Sequence, residues 1–305
     1  MITSSNGFES ILNQVPRLVD RSLVTELSGG LTNRNLKITT ASGDYVARIS
    51  SNKSALLAID RKSEYENSKI AAQVGVGAPV YDFLPTAGLL LLGFLPGKTY
   101  TNDDVANNLS RVASSVRQLH NGPKFVSEFD MFVIQQHYLK IVTEQGFRMP
   151  ENYLEYLKPL ELMKDAINVI NLPKVACNND LLAANFIDDG EKIWIIDYEY
   201  SGNNDPCFEL GNIYSESNLT YQQLIELVDA YFGSHRPEMI ARAWLFALLA
   251  RYGWTLWATI QDGISELDFD FWEWGMQKYE QAKKDFASDQ FNTALRQVVI
   301  PTQPI

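Results

Sequence analysis

The first part of the chain reads as strands, with apolar and polar positions alternating over residues 35–40. Leu23–Leu27 reads as a strand that runs into Ser28-Gly29-Gly30, a glycine turn. Residues 35–40 put Leu36 and Ile38 on one face, Ala41-Ser42-Gly43-Asp44 is turn chemistry, and residues 45–49 run back as a partner strand. Residues 58–74, rich in Glu, Lys, Ala and Gln, predict a helix ending near Gly75 and Gly77. Residues 79–83 and 89–94 predict two further strands around Gly88. Pro96-Gly97 then breaks the pattern, and a boundary between two lobes, 1–95 and 96–305, is expected there. Beyond it Val105, Leu109, Val112, Val116 and Leu119 fall four, three, four and three residues apart, one apolar stripe on one core helix. Residues 152–170 predict another helix.

Within 174–214 the pattern changes again. Residues 174–177 form a short apolar strand, followed by the polar loop Asn178-Asn179-Asp180. A second strand starts at Asn185-Phe186-Ile187, Asp188-Asp189-Gly190 turns, and a third strand over 192–196 ends at Asp197. Asp180, Asn185 and Asp197 therefore gather around one loop. Such a set of oxygen donors suits magnesium, a hard cation. Phosphoryl transfer needs a carboxylate to take the proton of the attacking hydroxyl and further oxygens to hold metal against the phosphates. The spacing Asp-x-x-x-x-Asn, then a hairpin, then an apolar strand ending in Asp, matches protein-kinase-like enzymes, with Asp180 as base and Asn185 and Asp197 as metal ligands. Asp and Asn are also ordinary turn residues. The strand before, the hairpin after and Asp197 closing the third strand are what favour chemistry over a plain turn.

Composition narrows the classes. The 305 residues carry 26 basic and 37 acidic side chains, a net charge of −11, which argues against a nucleic-acid partner. Two cysteines, Cys177 and Cys207, are too few for a disulfide framework, fit a reducing compartment and show no zinc spacing. Three scattered histidines argue against a histidine metal cluster. No signal peptide is read at the N-terminus, and the apolar run 89–95 is too short to span a bilayer. The expectation is a cytoplasmic protein without membrane insertion.

The segments NNDLLAANFI and IIDYEYSGNNDPCFELGN resemble the choline/ethanolamine kinase branch of the aminoglycoside-phosphotransferase-like family. SGGLTNRNLKI resembles its phosphate-binding turn and RYGWTLWATIQ its W-x-x-W-x-x-x-Q helix, so the resemblance runs from about Leu23 to Tyr279. It implies an α+β, protein-kinase-like two-lobe fold: an antiparallel N-terminal sheet with a helix that binds ATP, and a mostly helical lobe for catalysis and substrate. Ser28, Gly29, Gly30, Thr32 and Asn33 would cover the ATP phosphates. Arg48 would contact the α- and β-phosphates and pair with Glu64, Glu66 being a rival partner. Phe94 and Leu95 would form the hinge against adenine, and the cofactors implied are ATP and Mg2+. One departure is Asn178, where the family has His; Asn also donates and accepts hydrogen bonds.

Five of the six tryptophans lie between 244 and 274. Trp254 and Trp257 share a helix face, and an aromatic stripe at that spacing is either core or a wall for a cation. The resemblance implies a cage of Trp254, Trp257, Tyr200 and Trp274 with Glu216 near the ammonium, while Trp244 and Trp272 are read as core. Glu199 is read as structural, and Asp205 and Glu209 as shaping the loop. The expected partner is a small amino alcohol, choline first, and a homodimer is admitted. Ethanolamine or thiamine on the same scaffold, or a catalytically silent nucleotide binder, stand as alternatives.

Overall fold

A computed structural model describes residues 6–27, 30–50 and 56–301. Ser28 and Gly29, two of the expected phosphate-turn residues, lie outside the described residues. The chain opens with α1 (Asn6–Leu12), β1 (Leu23–Leu27), β2 (Asn33–Thr40) and β3 (Gly43–Ser50). After α2 (Arg61–Val74), β4 (Val80–Leu84) and β5 (Leu89–Gly93) complete an antiparallel sheet ordered β1-β2-β3-β5-β4. The alternation read from the sequence is the pleat: Leu36 and Ile38, Ala47 and Ile49, Leu89 and Leu91 turn to one face and pack on Leu12, Val15 and Leu18.

The helix expected from residue 58 begins at Arg61. Ala58 sits at φ 58°, outside helical space, and Asp60 caps the helix by accepting from the Lys62 N–H.

Then follow β6 (Lys98–Thr99), α3 (Asn102–Asn107), α4 (Leu109–His120), α5 (Met131–Gln145) and α6 (Leu157–Asn168). Next come β7 (Val175–Cys177), β8 (Phe186–Asp188), β9 (Ile193–Ile195) and β10 (Gly202–Asn204). Five helices close the chain: α7 (Pro206–Glu216), α8 (Tyr221–Phe232), α9 (Pro237–Ile264), α10 (Phe271–Phe286) and α11 (Asp289–Gln297). β6, β8 and β9 form one small antiparallel sheet, and β7 pairs with β10.

The stripe from Val105 to Leu119 is buried throughout, but on two helices. The chain breaks at Asn108 (φ −129°, ψ 30°), whose side-chain amide donates to the Asp104 carbonyl at 2.8 Å and so competes with the helical ladder. Likewise 152–170 is not one helix: a tight turn over Tyr153–Tyr156 precedes α6.

The organising element is α9, with every residue from 239 to 261 buried. A helix apolar on all sides belongs inside a core. It packs against α7, α10 and α5, and Gly211 makes the α7 contact: a Cβ there would stand 2.2 Å from the Ala243 carbonyl oxygen. Among the described residues no helix is long and apolar enough to cross a membrane.

Candidate active site

The loop between β7 and β8 carries Asp180, and almost every polar atom around it has a partner. Asn179 adopts φ 68° and donates through its amide to the Cys177, Tyr200 and Gly202 carbonyls. Asn178 donates to the Ile196 and Asp197 carbonyls at 3.1 and 2.8 Å and accepts from the Asp180 N–H at 3.1 Å. Asn178 thus ties the loop to the Asp197 turn by donation and closes the loop on itself by accepting from Asp180. Glu209, wholly buried on α7, accepts the Asn178 and Asn179 N–H groups at 3.0 and 2.8 Å. This is the loop-shaping role expected for it.

Asn185 lies in a tight turn (Ala183–Asn185), with the strand starting one residue later than expected. Its amide nitrogen donates to the Asp180 carbonyl at 2.7 Å, which leaves Oδ1 as the atom for a ligand. Asp197 stands two residues past the end of β9 at φ 64°, a left-handed conformation rare for a non-glycine residue. Backbone strain of this kind gathers at functional sites.

Asp180, Asn185 and Asp197 line one open cleft of about 640 Å³, together with Glu199, Tyr200, Glu216, Trp254, Trp257 and Trp274. Gly30, Leu31 and Thr32, from the turn before β2, line it as well. Gly30 has no room for a side chain, since a Cβ would fall 2.4 Å from the Asn33 carbonyl oxygen. Gln261, the last residue of the W-x-x-W-x-x-x-Q pattern, donates to the Leu31 carbonyl at 3.2 Å and moors that turn to α9.

Burial, then repulsion from Asp197, Glu216 and Glu199, pushes the Asp180 carboxyl well above the usual carboxylate range, and Lys278 opposes the shift. An elevated carboxyl pKa in a cleft marks a candidate proton acceptor.

Arg48, on β3, is buried among three carboxylates. Its guanidinium lies 2.8 Å from Glu64, 3.0 Å from Glu199 and also against Asp197. Of the two partners left open by the sequence, Glu64 makes this contact, whereas Glu66 pairs with Lys69. Glu199 does more than its sequence position suggested. It accepts from the Thr32 hydroxyl, the Asn33 amide, Arg48 and Arg61, so one carboxylate joins the turn, the sheet, α2 and the Asp197 loop. Arg61 also reaches Glu64 at 2.7 Å. Burial and Asp197 raise the Glu199 carboxyl, against the pull of Arg48 and Arg61. Nothing local to the sequence marked Arg61, whose partners are assembled by the fold.

Phe94 and Leu95 stand at the exit of β5. The Phe94 ring lies under the Lys37 ammonium at 3.8 Å, and its N–H donates to the Asp44 carbonyl.

On the other side of the cleft Trp257 donates through its indole nitrogen to the Tyr200 hydroxyl at 2.8 Å. Tyr200 meets Trp254 edge-on at 5.0 Å and Trp257 meets Trp274 at 5.5 Å. Trp244 is buried as expected, but Trp272 is not core: it is half-buried, with the Arg148 guanidinium 3.8 Å above its ring. Lys278 was not singled out by the sequence, yet its ammonium is bonded to Glu216, one of the cleft-lining residues.

The fold also gathers His120, Cys177 and Glu209, far apart in sequence, with candidate ligand atoms within 4.8 Å of one another. Burial pushes the Cys177 thiol up, and both Glu209 oxygens hold the Asn178–Asn179 backbone, so this trio serves as packing behind Asp180.

The family model described as choline/ethanolamine kinase matches residues 24–227. Protein LicA of Haemophilus influenzae is 27% identical over 275 residues, covering 84% of this chain and 78% of that protein. Ethanolamine kinase 1 of Mus musculus is 25% identical over 310 residues, covering 87% and 84%. Among solved structures, a choline/ethanolamine kinase family protein from Mesorhizobium loti superposes with a TM-score of 0.86 at 28% identity, over 98% of this chain and 100% of that one. The α+β architecture read from the sequence is the one these relatives share.

Proposed function

The chain belongs to the choline/ethanolamine kinase family, and on that footing we propose that it transfers the γ-phosphoryl group of ATP to the hydroxyl of choline. Family membership makes it a small-molecule alcohol kinase. The choice of acceptor rests on one observation: the cleft that holds Asp180 is walled by Trp254, Trp257, Trp274 and Tyr200, with Glu216 beside them. A quaternary ammonium has no N–H to donate and is held by aromatic faces.

In this reading residues 1–95 bind ATP and residues 96–305 bind the acceptor. Phe94 and Leu95 meet adenine, the Gly30–Asn33 turn and Arg48 meet the phosphates, and Asp180 takes the hydroxyl proton. The acceptor oxygen bonds to the γ-phosphorus as the bridge to the β-phosphate breaks, and ADP leaves with that electron pair. Asn185 through Oδ1, together with Asp197, makes an amide and carboxylate donor set that fits magnesium. When bound, the ion neutralises phosphate charge. The remaining work is positioning: Asn178, Asn179 and Glu209 fix the Asp180 backbone, and Glu199 holds Thr32 and Asn33 beside the cleft.

Ethanolamine is the second reading. Four carboxylates line the cleft, Asp180, Asp197, Glu199 and Glu216, and they suit an acceptor with N–H donors. An ATP-consumption screen over choline, ethanolamine, thiamine and aminoglycosides, with Asp180→Asn as control, tests both. Choline is expected to give the highest kcat/KM. Preference for ethanolamine overturns the acceptor assignment, and turnover retained in the control removes Asp180 from its role.

A further inference from the structure

Two residues that line the acceptor pocket, Glu216 and Trp274, hold a cation of the chain's own. Lys278, on α10, donates to both oxygens of Glu216, on α7, at 2.6 and 2.7 Å, and its ammonium lies 4.2 Å from the Trp274 ring centroid. The two charged side chains are 12% and 5% exposed. Glu216 and Trp274 both face the cleft that contains Asp180. A carboxylate and an aromatic face are what an ammonium-bearing acceptor needs, and Lys278 engages both at once. Its four-carbon stem and compact ammonium let the charge swing aside without moving the helix.

We propose that Lys278 is a resident counter-charge that holds the cation position until the acceptor's own ammonium displaces it. The proposal rests on reading this cleft as the acceptor site. Glu216 then always has a partner, and a buried carboxylate stripped of its partner is strongly destabilising. Displacement also weakens the apparent affinity by the fraction of molecules in which Lys278 has moved out. A neutral alcohol of the same shape has no charge with which to replace Lys278 and is refused. Lys278 is thus a specificity-determining residue for positively charged acceptors.

The test uses tetramethylammonium chloride, which has no hydroxyl, so its result does not depend on transfer. In the wild-type protein, reductive methylation of Lys278, read by mass spectrometry, is expected to run several-fold faster with tetramethylammonium than with equal sodium chloride. An unchanged or slower rate overturns the proposal. By calorimetry Lys278→Met should bind tetramethylammonium at least ten-fold more tightly than wild type, and Glu216→Gln/Lys278→Met should lose that gain. Equal or weaker binding by Lys278→Met overturns the proposal as well. Should Lys278→Met fail to fold alone, the wild-type methylation result decides. Displacement of Lys278 without turnover of choline would leave this proposal standing and remove the acceptor assignment. Turnover of choline with Lys278 unmoved would do the reverse.

Discussion

Two buried ion-pair systems flank the cleft, and they are built differently. On the sheet side Arg48 is shared among Glu64, Glu199 and Asp197, and Glu199 in turn holds Thr32, Asn33 and Arg61. Arg48, Glu64, Glu199 and Arg61 each have two or more partners, so none of these contacts moves without disturbing the others. On the tryptophan side Glu216 and Lys278 form a single pair, backed by Trp274. A web of this kind fixes geometry, as phosphoryl transfer requires, because catalysis there is mostly positioning and charge. A single pair has fewer contacts to break, which fits the proposal that a charged acceptor exchanges with Lys278 on that side.

Asp180 stands where the two sides meet, and its replacement has the largest effect. Asp180→Asn should lower kcat by about 10²–10⁴-fold, the usual contribution of a general base, with choline binding by thermal shift retained. A loss under about ten-fold would leave the base elsewhere. Next comes the web. Arg48→Met takes the cation from Asp197 and leaves Glu64 and Glu199 to share Arg61 alone among the described residues, and should cost about 3–5 kcal/mol in denaturant unfolding. Choline should not restore that loss, whereas it should restore Lys278→Met. If both variants respond alike to choline, the contrast between web and exchangeable pair fails. Trp257→Ala removes an aromatic face and the donor to Tyr200, and should raise the choline KM about ten-fold, with little change for ATP. Equal effects on both substrates would move Trp257 out of the acceptor wall.

The smallest effect concerns stability and pH in the metal-free protein. The Asp180 carboxyl is raised in the fold. The stability from its protonated form is therefore fully present below the unfolded carboxylate pKa of about 3.9 and is lost as pH rises through the folded value. Asp180→Asn, which cannot ionise, should be more stable than wild type at neutral pH, and the difference should vanish toward pH 4. A difference that does not change with pH would contradict the raised carboxyl.

Regular elements were legible where local pattern suffices. The two-residue period over β2 and β3 and the turn between them emerge from Leu36, Ile38 and Ala41-Ser42-Gly43-Asp44 alone. Boundaries were less legible wherever a side chain competes with the backbone. Asn108 divides the stripe into α3 and α4, and Asp60 moves the start of α2. In the site, Asp180, Asn185 and Asp197 stood out because they lie within eighteen residues around one hairpin. Glu199 was placed in the right segment, but its reach was hidden: its partners Thr32, Asn33, Arg48 and Arg61 lie more than 130 residues away.

By itself the sequence determined the alternating sheet, the helical remainder, the catalytic spacing and the aromatic richness of α9 and α10. These depend on neighbours in the chain, through pleat, helical period and turn propensity. Only the tertiary structure decided that Glu199 ties Thr32 to Arg48, and that Lys278 faces Glu216, 62 residues away. Both are buried charges, and a buried charge is stable only with a partner. Which partner the fold supplies is settled by how the sheet and helices pack, which no local pattern encodes.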